Sequence, residues 1–101
     1  MIYLYHIYII LEKNMKSITY FYLKGCPYCK KAEEYLNRLL EENPQYRRLE
    51  IHWIDENENP EYCDLMDYFY VPCFYVDGVN RHEGRITKEK LQSVLEMALN
   101  E

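Results

Sequence analysis

The sequence predicts an α/β domain in which helices cover both faces of a mixed four-stranded sheet, in the order β-α-β-α-β-β-α. Three observations carry this expectation. Two short β-rich runs, at 17–23 and 49–55, flank a segment of helical period. Strand, crossover helix and strand form a right-handed unit whose strands run parallel. Asp77-Gly78 then separates two further strand-like runs by two residues, the signature of a type I′ hairpin and so of an antiparallel pair. Last, Thr87 precedes an apolar stripe at helical spacing, Leu91, Val94, Leu95, Ala98 and Leu99, which reads as a capped closing helix. At 101 residues the chain suffices for one hydrophobic core, and no repeat, linker or low-complexity run divides it.

Each element follows from local chemistry. Residues 17–23 (SITYFYL) are short, apolar and β-rich, and Lys24-Gly25 ends them. A helix is expected from Pro27 to about Glu42, because proline suits the first helical position. Ala32, Tyr35, Leu36, Leu39 and Leu40 share one face, while Lys30, Glu33, Glu34, Arg38 and Glu41 face away. Asn43-Pro44 stops it. Residues 49–55 (LEIHWID) alternate as a second strand, with Leu49, Ile51 and Trp53 on one face and His52 turned to solvent. Asn59-Pro60 supplies an N-cap and first helical residue for a short helix over 60–68. The hairpin pairs 73–76 with 79–82.

The formal charge of −5 and sequence pI near 5.2 exclude a general binder of nucleic acid or anionic membrane, which needs a positive field. Lys24, Lys30 and Lys31 nevertheless gather around one short segment. Residues 1–11 are apolar or tyrosine apart from His6. They lack a basic leader and a small-residue cleavage site and fall short of the roughly 20 residues a spanning helix needs, so neither a signal peptide nor an anchor is expected. Residues 1–15 are therefore read as an N-terminal extension to a domain at 16–101. Two readings of it stand, an upstream in-frame start and an added β-strand, and it is expected to be dispensable for catalysis. The expected compartment is the cytoplasm, where thiols are kept reduced and a CxxC pair is more often catalytic than structural.

The chemistry concentrates in Cys26-Pro27-Tyr28-Cys29. One thiol lies at a helix N-terminus, where unpaired N–H groups and the helix dipole favour an anion, and a second lies about one turn behind. That pattern suits reversible dithiol–disulfide exchange. Cys26 is the candidate nucleophile and Cys29 the resolving thiol. Cys63 and Cys73 read as packing residues, since free cysteines behave as small hydrophobes. The spacing C-x2-C-x33-C-x9-C fits no familiar zinc module, so no metal site is assigned.

With Gly25 before CPYC, Val71-Pro72 before the third strand and Asp77-Gly78 in the hairpin, the chain resembles the glutaredoxin branch of the thioredoxin fold, whereas its tail from Arg81 to Leu91 looks more like a thioredoxin's. The resemblance implies a cis Val71-Pro72 bond facing Cys26, with the Val71 backbone available to an extended substrate. It implies a substrate groove that also involves Pro27, Tyr28 and Gly84, and it gives Lys24 a glutathione carboxylate to bind. Two positions depart from the glutaredoxin pattern. Glu83-Gly84-Arg85 stands where a Gly-Gly pair and a polar or acidic residue are usual, and Tyr70 replaces the threonine before Val-Pro.

The implied function is a thiol–disulfide oxidoreductase reducing protein or glutathione mixed disulfides, with no tightly bound cofactor. Its partners would be disulfide-containing proteins, with electrons from glutathione, as a weak co-substrate, or from a flavoprotein of the thioredoxin-reductase type. The alternative is a redox-inert or metal-linked module that holds an extended peptide near Pro72.

Overall fold

The computed structural model describes residues 15–100. Residues 1–14, and with them the expected extension, lie outside the described part. Within it the order is β1 (Ile18–Tyr22), α1 (Pro27–Glu42), a 3-10 turn (Pro44–Arg48), β2 (Ile51–Asp55), α2 (Pro60–Asp64), β3 (Cys73–Val76), β4 (Val79–Glu83) and α3 (Lys88–Asn100). The sheet order is β2-β1-β3-β4. β1 runs parallel to β2 and antiparallel to β3, and β3 is antiparallel to β4. This is the mixed four-stranded architecture that the sequence predicts.

The alternation of side chains along β1 divides the molecule into two cores. Ile18 and Tyr20 face α1 and α3, where they pack with Leu36, Leu39, Phe74, Val76, Leu91 and Leu95. Phe21 faces the other way and meets Cys63, Cys73 and Tyr75 under α2. Full burial of a leucine such as Leu91 contributes about 1.5–3 kcal/mol, so the face carrying both long helices supplies most of the apolar stabilisation. The hairpin matches its signature: Asp77 and Gly78 take φ of 52° and 80°, the two positive values a type I′ turn requires.

Several boundaries differ from expectation. The second strand starts at Ile51, because Leu49 closes the 3-10 turn by donating its N–H to Tyr46 O at 3.1 Å. α2 ends at Asp64 rather than near Tyr68. There the bonds shorten to three-residue steps, Leu65 N–H to Tyr62 O and Met66 N–H to Cys63 O, and Leu65 is left exposed with no apolar face to continue the helix. β4 extends one residue further than expected, through Glu83. No helix among the described residues is long and apolar enough to cross a membrane.

Candidate active site

The site forms where β1 hands the chain to α1. Gly25 takes φ +82°, a left-handed conformation that costs glycine little, and the turn closes through Cys26 N–H to Leu23 O at 3.3 Å. Cys26 is the N-cap residue of α1, with extended backbone, and Pro27 occupies the first turn. Its Sγ accepts the backbone N–H of Cys29 at 3.4 Å, so the sulfur satisfies one of the helix's unpaired donors. The sulfur thus lies at the N-terminal end of α1, where the helix's unpaired N–H groups point.

Cys29 lies one turn inward and is 1% exposed. Burial pushes its thiol up to about 12, and contact with Cys26 adds to the rise while a Leu23 backbone bond and Tyr20 oppose it. The half-buried Cys26 therefore meets solvent while Cys29 waits protonated behind it. Both are free thiols.

Two hollows flank Cys26. One, of about 480 Å³, is lined by Cys26, Lys24, Gly25, Lys30, Tyr22 and Glu33 among others. The other, of about 350 Å³, lies beyond Pro27 and Tyr28 and is bounded by Lys31, Tyr35, Arg85 and Ile86. The expected electropositive lip is thus present on both sides, on an acidic body. Lys24 also reaches Glu58 at 3.8 Å, an exposed pair of little energetic weight. A third hollow, of about 420 Å³, lies over α2 with Glu56, Asp64 and Asp67 in its walls. None of the residues lining it belongs to the CPYC segment, whose residues border the other two clefts.

The segment before β3 comes to the same end of the sheet, since Phe21, near the end of β1, pairs with Cys73 at the start of β3. Val71-Pro72 is cis. Gly84, at φ +86°, donates its N–H to Pro72 O at 2.8 Å and so couples two residues predicted separately for the groove. The loop ahead of Pro72 is pinned from β4: Glu83 accepts the Phe69 N–H at 3.0 Å and an Asn80 amide N–H at 2.7 Å. These bonds hold the Glu83 carboxyl below its usual range. Phe69, Tyr70 and Tyr28 remain exposed around this end.

Cys63 and Cys73 are buried in the second core, as expected of packing thiols, and burial drives Cys73 up to about 12. His52 is solvent-facing beside Glu50. No group of three or more His, Cys, Asp or Glu residues suited to a metal occurs among the described residues.

One expectation is overturned. Glu33 does not face away from the body. It is half-buried and accepts the hydroxyl proton of Tyr20 at 2.9 Å. Sequence reasoning missed both residues as part of the site. The available signal was spacing, because Glu33 follows Cys29 by four and so shares its side of the helix.

A family profile described as Thioredoxin domain matches residues 17–96. Among solved structures, thioredoxin O1 of Arabidopsis thaliana in the oxidised state superposes with TM-score 0.65 at 18% identity, covering 91% of this chain and 89% of that one. The oxidised thioredoxin of Plasmodium falciparum gives 0.61 at 19% identity, covering 90% and 88%. Fasciola hepatica thioredoxin gives 0.63 at 19%, covering 91% and 90%. No curated protein matches the chain.

Proposed function

The chain belongs to the thioredoxin domain family, and on that premise we propose that it is a thiol–disulfide oxidoreductase working through Cys26 and Cys29. One observation carries the reading: Cys26 Sγ caps α1 on the Cys29 N–H while Cys29 lies buried one turn behind. Cys26 attacks a substrate disulfide as thiolate, forming a mixed disulfide and expelling the first substrate thiolate. Cys29 then attacks the Cys26 sulfur, loses its proton, and releases the second substrate thiol. Two electrons leave the dithiol, which becomes the Cys26–Cys29 disulfide. A stabilised Cys26 thiolate is also the better leaving group when this disulfide is reduced again.

Protein disulfides are the substrates we favour. The exposed Tyr28, Phe69 and Tyr70 offer apolar surface for a polypeptide, and the segment at Val71 and Pro72 lies alongside as the docking edge for an extended strand. Lys24, Lys30 and Lys31 attract the carboxylates of glutathione, but Glu83 places a negative charge close to the Pro72–Gly84 contact. Glutathione is accordingly the weaker partner, and a flavoprotein reductase is the main electron source. A reducing compartment, the cytoplasm, suits this cycle. Turnover of a protein disulfide with purified chain, supplied in one assay with glutathione and its reductase and in the other with thioredoxin reductase, tests the assignment. Absence of a reversible two-electron couple at Cys26/Cys29 between about −120 and −300 mV would sink it.

A further inference from the structure

Residues three apart on a regular strand point to opposite faces, yet on β4 Asn80 and Glu83 share one. The cause is a bulge: Phe74 pairs with His82 while the next residue, Tyr75, pairs with Asn80, so two steps along β4 answer one along β3. Both side chains therefore stand on the face of Cys73 and Tyr75, their cross-strand partners, which belong to the core under α2. There the Asn80 amide donates to Glu83 Oε2 at 2.7 Å, and Glu83 Oε1 accepts the Phe69 N–H at 3.0 Å. Asn80 also reaches Asp67 O at 3.4 Å, the same oxygen that accepts the Tyr75 hydroxyl at 3.0 Å. The Tyr68 ring stacks on Phe21 with centroids 4.8 Å apart. Residues 67–69 are thus fixed from the sheet, and Pro72 is tied to Gly84. Between these ties Phe69 and Tyr70 stand 84% and 67% exposed. A loop held by polar bonds while it keeps two rings in water is a preorganised contact surface, since little further entropy is lost when it binds.

We propose that Glu83 is a positioning residue for substrate: it clasps the Phe69 backbone so that Phe69 and Tyr70 project beside the Val71–Pro72 edge, and the site thereby prefers polypeptide disulfides whose cysteine is flanked by bulky apolar residues. This rests on the oxidoreductase reading and names its substrate class. A chain extended along the edge brings the side chains next to its cysteine onto the two rings, and the apolar area they cover favours the complex. Glutathione has no aliphatic or aromatic side chain to set against them. Glu83 acts through the Phe69 N–H and takes no part in the exchange of electrons. A glycine at position 83 would leave that N–H without its oxygen. Once released, the Phe69 ring can turn into the hollow over α2 whose wall it already forms, out of the substrate's path.

Two synthetic peptide disulfides, identical except that leucines flank the cysteine in one and glycines in the other, test the preference. Their rates of reduction by the fully reduced chain are compared by acid quench and chromatography. The wild type should favour the leucine peptide about tenfold. Glu83→Ala should bring that ratio to about twofold or less, while Glu83→Gln, which keeps an oxygen for the Phe69 N–H, should retain it. Amide exchange followed by NMR reads the clasp directly: the Phe69 N–H should exchange at least about tenfold faster in Glu83→Ala than in the wild type or Glu83→Gln. The substitution lies on a partly exposed edge strand, so the variants are expected to fold. A preference absent from the wild type, one that survives in Glu83→Ala, or one lost equally in Glu83→Gln overturns the positioning role and leaves the oxidoreductase reading intact. An unchanged Phe69 exchange rate in Glu83→Ala does the same. Failure of the wild type to reduce either peptide defeats both.

Discussion

The four cysteines form two pairs with the same side chain and different surroundings. Cys26 and Cys29 stand at the start of α1, one half-buried and bonded to a helix N–H, the other buried one turn behind it. Cys63 and Cys73 lie in the core under α2, among Phe21, Tyr75 and Tyr68. Reactivity follows from placement. A helix N-terminus with access to solvent favours the thiolate, while apolar burial favours the thiol. Burial is common to three of the four, and only Cys29 has a partner that carries substrate to it.

The largest effect expected from this contrast is on turnover. Cys26→Ser should lower disulfide reduction at least a thousandfold, whereas Cys63→Ala should leave it unchanged and cost about 1 kcal/mol in denaturant unfolding for the cavity it leaves. Comparable losses in both variants would dissolve the distinction between the pairs. Next is accessibility. Iodoacetamide at about pH 6, followed by peptide mass spectrometry, should label Cys26 roughly a hundredfold faster than Cys63 or Cys73. Cys29→Ser should accumulate a mixed disulfide at Cys26, seen as a mass adduct.

A smaller effect appears in alkali. Cys29 and Cys73 hold their protons up to about 12 in the folded chain, against an ordinary thiol value of 9.0. The unfolded chain releases them earlier, so stability is complete below about pH 9 and declines from there to about pH 12. Each thiol should remove about 1.4 kcal/mol per pH unit over that window. Denaturant melts of the wild type and Cys73→Ala across it should differ by one thiol's share of the slope. Equal slopes would mean that Cys73 is not sealed in the folded protein. The smallest effect lies between the two regions, at Glu83, which pairs with Cys73 across β3 and β4. Glu83→Gln keeps an acceptor for the Phe69 N–H and removes the charge. It should improve turnover of a glutathione mixed disulfide by up to about fivefold. No change would place that charge outside the groove.

The fold was legible because its main signals are local. The period of Ala32, Leu36 and Leu39, the Asp77-Gly78 turn and the Thr87 cap each determine one element, and handedness rules leave few ways to join them. What failed was governed by tertiary contacts. Leu49 carries a strand-like pattern, yet the 3-10 turn at Pro44–Arg48 takes it into the helix-side core. The short helix at Pro60 stops at Asp64 in three-residue bonds, and the chain beyond it is held from β3, where the Tyr75 hydroxyl donates to Asp67 O at 3.0 Å. At the site, Cys26, Cys29, Pro27 and Pro72 were readable as motif. The Tyr20–Glu33 bond was not, since it joins an inward strand residue to a charged helix residue that periodicity alone assigns to solvent. The Glu83 latch on the Phe69 loop escaped for the same reason: its partners are set by the β3–β4 register, which is irregular between Phe74 and Tyr75.

Trp53 is the only tryptophan in the sequence. It stands edge-on to Tyr20 with ring centroids 5.0 Å apart, and beside Tyr22 at 5.8 Å. The Tyr20 hydroxyl in turn donates to the Cys29 backbone carbonyl at 3.3 Å, so a single aromatic ring lies between the indole and the second cysteine of the pair. The indole also lies partly open on the edge strand, 45% exposed, where its emission responds to solvent as well as to its neighbour. The chain therefore carries its own optical gauge: making and breaking the Cys26–Cys29 bond is expected to register in intrinsic fluorescence, in an unlabelled protein and while it turns over.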